Sequence, residues 1–135
     1  MSVAEGLSRL QASADDGRLD MLCEEHGVRV LTVFGSAVSN ASSARDLDVA
    51  VAYRTGESRD DVKLIDALLA LSGIDEVDLL VLDGASPTAR RNALVGVIPL
   101  YEASPGDYAR LQVTAMLEFM DTAWLRRLDL ELLAR

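Results

Sequence analysis

The sequence predicts an α+β fold: a small sheet flanked by helices, ending in a C-terminal helical segment. Two observations carry this. Apolar runs with strand character recur at Val28–Phe34, Asp46–Tyr53 and Glu76–Leu82. Around them lie stretches with apolar residues at helical spacing, and the pattern after Ser104 is helical to about Leu133. At 135 residues the chain is expected to form one domain, 1–135, with its core over about 18–102 and the helical segment over about 104–134.

Composition bounds the function. Half the residues are apolar and 26% are charged, which argues against disorder. With 13 basic and 22 acidic residues the net charge is −9, unsuited to gripping long nucleic acid through its phosphates. It suits a protein that binds metal cations or docks on a basic partner. Cys23 is the only cysteine, so no internal disulfide forms and a reducing, cytoplasmic setting is expected. The first residues lack the pattern of a signal peptide, and no apolar run is long enough to span a membrane. No repeat or linker interrupts the chain.

Taken in order, residues 4–14 carry Leu7, Leu10 and Ala14 at helical spacing, weakened by Gly6, and Asp15-Asp16-Gly17 is a break. Leu19, Leu22 and Cys23 share a face of the next helix, which Gly27 ends. His26, the only histidine, falls in its last turn, an ordinary place for a cation, and Cys23 reads as core filling. Val28–Phe34 is a strand whose near-continuous apolar character predicts a sheet covered on both faces in places. In the second strand Leu47, Val49, Val51 and Tyr53 point one way; Asp46, Asp48, Ala50 and Ala52 point the other.

After Gly56, Ser58 with Asp61 resembles a capping box, ahead of an apolar stripe of Val62, Ile65, Leu68 and Leu69 that Gly73 ends. The third strand holds Asp78. Ser86-Pro87 is a cap followed by proline at the first helical position, and Val97–Tyr101 is a short edge strand because of Pro99. Ser104-Pro105 repeats the cap signature. The final helical stretch, broken near Asp121-Thr122, has apolar residues on more than one face. Phe119, Trp124, Leu128 and Leu132 are surplus to one packing face. Two readings stay open for them, a partner surface or burial within the domain.

The acids are the feature a strand does not need. Asp46 and Asp48 share a face about 7 Å apart along the strand, two steps of about 3.3 Å. Asp78 sits on a further strand. Crowded carboxylates repel each other and desolvation raises their proton affinity, so a divalent cation resolves both difficulties. Mg²⁺ takes such oxygen ligands, and a carboxylate pair can bridge two ions that clamp the attacking and leaving oxygens of a phosphoryl displacement. Gly35-Ser36, at the end of the first strand, lets backbone approach a phosphate, and the Ser36 hydroxyl can add a hydrogen bond. Each part alone is common. Their order is more specific: strand, Gly-Ser, nine residues, an Asp-x-Asp strand, a helix, a strand with Asp.

In FGS at 34–36, DLDVAV at 46–51 and VDLLVL at 77–82 the chain resembles the minimal nucleotidyltransferases of the DNA polymerase β-like superfamily. Ser86-Pro87-x-Ala-Arg90, the segment ending LYE at 102 and the helix through Phe119-Met120-Asp121 resemble its antitoxin members, MntA-like adenylyltransferases paired with a HEPN ribonuclease toxin. The resemblance covers roughly residues 18–130. It implies a small mixed sheet, triphosphate positioning by Gly35 and Ser36, two Mg²⁺ on Asp46 and Asp48, and Asp78 completing the metal site or activating the acceptor. It further implies AMP transfer from ATP to a tyrosine hydroxyl of the toxin, which blocks RNA cleavage, and a hetero-oligomer with that toxin. The alternatives are an antitoxin that only masks its partner and an enzyme acting on a small-molecule hydroxyl.

The chain departs from the family's usual Gly-Ser-Arg-x-x-Gly loop, with Ala37-Val38-Ser39-Asn40 in its place and Arg45 before the first aspartate. Arg45 reads equally as a substitute phosphate contact or a solvated loop charge. Arg90 and Arg91 read as surface residues within reach of a phosphate or the toxin.

Overall fold

The computed structural model describes residues 1–134. Its elements are α1 (Val3–Asp15), α2 (Arg18–Glu25), β1 (Val28–Phe34), α3 (Ser36–Ser39), β2 (Leu47–Tyr53), α4 (Asp61–Ser72), β3 (Val77–Val81), α5 (Pro87–Leu94), β4 (Ile98–Glu102), α6 (Asp107–Asp121) and α7 (Ala123–Leu133). The four strands form one sheet in the order β3-β2-β1-β4. β1 runs antiparallel to both β2 and β4, whereas β2 and β3 are parallel and joined through α4. The sheet is therefore mixed.

Alternation along β2 divides the core. Leu47, Val49, Val51 and Tyr53 join Leu7, Leu10, Leu19, Cys23, Leu64 and Leu68 under α1, α2 and α4. Ala50 and Ala52 join Val30, Ala93, Leu94 and Ala115 under α5 and α6. In β1 the alternation is broken by a register shift between Val28 and Val30. Val28 and Leu31 consequently bury on one face while Val30 buries on the other, which explains why the run reads as almost continuously apolar. The same shift frees Arg29 to reach Asp107 at 3.4 Å.

Local chemistry sets the helix starts, and in two places it differs from the sequence reading. α4 is capped by Asp60, whose side chain accepts from the Lys63 amide at 3.1 Å, and Ser58 lies exposed ahead of it. The buried face of α4 is Leu64, Leu68 and Ser72, while Val62 is 67% exposed. The face that turns inward is the one that meets the sheet and α1, and an apolar count alone does not choose it. α6 starts at Asp107 with Gly106 as its cap in the left-handed region (φ 90°), so Ser104-Pro105 forms a turn rather than a cap. Asp107 instead reaches back and accepts from the Ser104 amide at 3.0 Å. Ser86 and Pro87 do start α5 as expected, with the Ser86 hydroxyl accepting from the Ala89 amide at 3.1 Å. Gly6 has a packing reason: a Cβ there would collide with Ile74.

The last two helices differ from the rest. Only Asp107 and Ala115 of α6 are buried, and no residue of α7 is. Burial within the chain is thus not the fate of Trp124, 61% exposed, nor of Leu128 or Leu132. Among the described residues no helix is long and apolar enough to cross a membrane.

Candidate metal and nucleotide site

Parallel pairing of β2 with β3 sets Asp48 beside Asp78 in register, and Asp46 lies just before β2. One carboxylate oxygen from each of Asp46, Asp48 and Asp78 lies within 4.8 Å of the others. The side chains therefore converge more closely than the strand spacing alone implies. Asp46 and Asp48 are half-buried and Asp78 is exposed.

No lysine or arginine forms an ion pair with any of the three among the described residues. The proton affinities of Asp48 and Asp78 record that lack of compensation. Asp48 is raised above the ordinary carboxylate range by burial and then by the charge of Asp46. Asp78 is pushed up to about 6, first by a hydrogen bond shared with the Asp46 carboxyl, then by desolvation and the neighbouring charges of Asp46, Asp48 and Glu76. Hard oxygen donors, convergent and uncompensated, fit a divalent cation such as Mg²⁺.

The Gly-Ser corner abuts this cluster. Gly35 has φ 74° and ψ −147°, a region essentially closed to side-chain-bearing residues. A Cβ on it would lie 2.5 Å from Asp48 Oδ2. The position therefore demands glycine twice, for its backbone and for its neighbour. Ser36 is exposed and opens α3, a single turn whose first amides carry no side-chain cap. Across the β1–β2 ladder, Phe34 stands directly opposite Asp48 and is half-buried against the cluster under α5 and α6. The sequence reading gives Phe34 no role beyond its strand. Its place beside the acids follows only from the register, although its position just before Gly-Ser is the available signal.

The arginines separate clearly. Arg90 donates through Nε to the Leu82 carbonyl at 3.0 Å and through Nη1 to the Glu118 carboxylate at 3.1 Å. Arg91 lies over the Phe119 ring at 4.8 Å. Both are engaged within the chain. Arg45 is exposed and in no ion pair among the described residues. Cys23 is fully buried, with its thiol pushed well above the ordinary range by desolvation, and reads as core.

A mixed sheet carrying convergent acids beside a glycine-serine corner agrees with the nucleotidyltransferase resemblance of the sequence. The family model described as "Polymerase beta, Nucleotidyltransferase" matches residues 19–105, and the chain belongs to that family. A protein assigned as a minimal nucleotidyltransferase is 34% identical, over 70% of this chain and 95% of that one, with a TM-score of 0.55. A toxin–antitoxin structure with AMP-PNP superposes at TM-score 0.69 over 88% of this chain and 98% of that chain, at 17% identity. A complex of tri-AMPylated Shewanella oneidensis HEPN toxin with MNT antitoxin gives TM-score 0.67 over 93% and 99%, also at 17% identity. At these two identities the likeness is one of fold. No curated protein sequence matches the chain.

Proposed function

We propose that this nucleotidyltransferase is the antitoxin of a HEPN/MNT pair: it transfers AMP from ATP to a tyrosine hydroxyl of the toxin ribonuclease, in the cytoplasm, and so inactivates it. The observation that carries the reading is the uncompensated acid cluster abutting Gly35 and Ser36. A protein that only masked its partner would be better served by apolar residues in place of three crowded carboxylates. That two of the similar solved structures are toxin–antitoxin structures, one with a tri-AMPylated toxin and one with AMP-PNP, supports the choice of partner and nucleotide.

In this reading Asp46, Asp48 and Asp78 hold Mg²⁺, two ions in the arrangement the family resemblance implies. Bound there, Mg²⁺ supplies charge neutralisation for the triphosphate and the leaving pyrophosphate. Gly35 admits a phosphate close to the backbone, and the Ser36 hydroxyl and the free amides of its turn donate to phosphate oxygens. The tyrosine oxygen bonds to the α-phosphorus as the bond to the β-phosphate's bridging oxygen breaks. Pyrophosphate departs with that electron pair. The hydroxyl proton passes to Asp78, the most open of the three carboxylates, and on to solvent.

Incubating the protein with labelled ATP, Mg²⁺ and the purified HEPN protein encoded beside it is expected to add AMP mass to that protein. Asp46→Asn should abolish the label while leaving the complex intact. A toxin neutralised at unchanged mass would overturn the transfer reading in favour of masking.

A further inference from the structure

The site leaves α6 and α7 unexplained, and most of the exposed large apolar side chains of the chain lie on these two helices. On α6, Met116, Leu117 and Met120 recur at spacings of one, three and four and share one face. On α7, Trp124, Leu128 and Leu132 recur every four residues on another continuous face. Met120 and Trp124 are 66% and 61% exposed, although a monomer gains nothing by presenting such a stripe to water. The junction is held in shape: the Arg126 guanidinium stacks over the Phe119 ring at 3.5 Å, donates to its carbonyl and bonds the Thr122 hydroxyl at 2.8 Å. That clamp keeps α7 against the end of α6 without burying any α7 residue.

The charges beside the stripe bear on which partner it suits. Asp121, Asp129 and Glu131 flank it and make no ion pair among the described residues; the cations beside them there are Arg127 and Arg126, the latter held on Phe119 and Thr122, so acids exceed bases by three to two. A second copy of this chain, itself at net charge −9, would bring acid against acid. An anionic lipid surface would be repelled in the same way. We infer that the joint face of α6 and α7 is a docking surface for a helical protein partner whose apolar stripe is rimmed by lysine or arginine. Resting on the function proposed above, that partner is the toxin that receives AMP, and this face holds it for transfer.

The test measures binding of the purified product of the adjoining gene, together with AMP transfer to it. Trp124→Glu with Leu128→Glu should raise Kd and the KM for that protein by about tenfold or more. Circular dichroism and the Mg²⁺-induced thermal shift should stay at wild-type values, because both side chains are exposed. Reversing Asp121, Asp129 and Glu131 to lysine should also weaken binding and remove the loss of affinity that added salt causes in the wild type. Four results would overturn the inference: no binding by the wild type, unchanged Kd in the double variant, tighter binding after charge reversal, or a wild-type homodimer that the double variant dissolves. Capture by phosphatidylglycerol vesicles would overturn it too. A partner that binds through this face but is never AMP-labelled would sink the transfer reading alone. One labelled with unchanged KM by the double variant would sink the surface alone.

Discussion

Two groups of acids stand at opposite ends of the same sheet, and the fold treats them in opposite ways. At one end Asp107 is buried, accepts from the Ser104 amide at 3.0 Å, and pairs with Arg110 at 2.7 Å and Arg29 at 3.4 Å. Its carboxyl is held below the ordinary range, first by the hydrogen bond from Arg110. At the other end Asp46, Asp48 and Asp78 converge with no basic partner, and Asp48 and Asp78 are held above that range. An acid that serves the fold is surrounded by donors. Acids that hold a metal, the role proposed for this cluster, would keep their charge for the ion, and the metal-free protein would bear the repulsion.

That contrast breaks most readily by mutation of the acids themselves. Asp46→Asn or Asp48→Asn should lower AMP transfer below detection while leaving metal-free thermal stability equal or higher, because crowded charge is removed. A large loss of stability in either variant would place these acids in the structural group. Gly35→Ala comes next. It forces φ 74° on alanine and drives a methyl into Asp48 Oδ2. A destabilisation of about 1–3 kcal/mol is expected, with transfer reduced beyond what the lost fold explains. Transfer at wild-type rates would show that the corner tolerates displacement of Asp48.

Both acid groups are only partly legible in the sequence. Asp46 and Asp48 stand out because an alternating strand has no use for two acids on one face. The strand ends at Val28, Phe34 and Tyr53 match their observed positions. The sequence puts Asp78 on a strand, but its register beside Asp48 depends on parallel pairing through α4, which is a long-range fact. The Asp107 group was hidden for a different reason. It needs the register shift in β1 that turns Arg29 toward α6, and one extra residue in a ladder leaves no composition signal. Two caps differ from the sequence expectation where candidates lie close together: Asp60 rather than Ser58 starts α4, and Gly106 rather than Ser104 starts α6, because the turn before each helix decides which residue the first amides meet. Exposure of α7 is one of the two readings the sequence leaves open, and no residue of α7 is buried.

The structural group gives the next prediction. Asp107→Asn leaves Arg29 and Arg110 without their shared anion and weakens the bond to the Ser104 amide. A loss of about 2 kcal/mol in unfolding free energy is expected by denaturant titration, with AMP transfer per folded molecule unchanged. Lost transfer in a stable variant would mean that the two ends of the sheet are coupled.

The smallest expected effect is also the sharpest, because the two groups should respond to pH with opposite sign. Asp78 binds its proton more tightly in the fold than in the unfolded chain, where its ordinary value is 3.8. Stability from that proton is complete below 3.8 and is lost as the pH rises through about 6. Asp107 has its affinity lowered, so its contribution is present above 3.8 and lost as the pH falls. Mg²⁺ competes with the proton for the carboxylates of the first group and has no claim on the second. The Mg²⁺-induced rise in Tm should therefore be slight near about pH 5 and grow by a few °C toward about pH 7.5. Asp107→Asn should keep that pH-dependent rise, and Asp46→Asn should lose it. A Mg²⁺ shift independent of pH would mean that the ion binds elsewhere and that the acid cluster is no metal site.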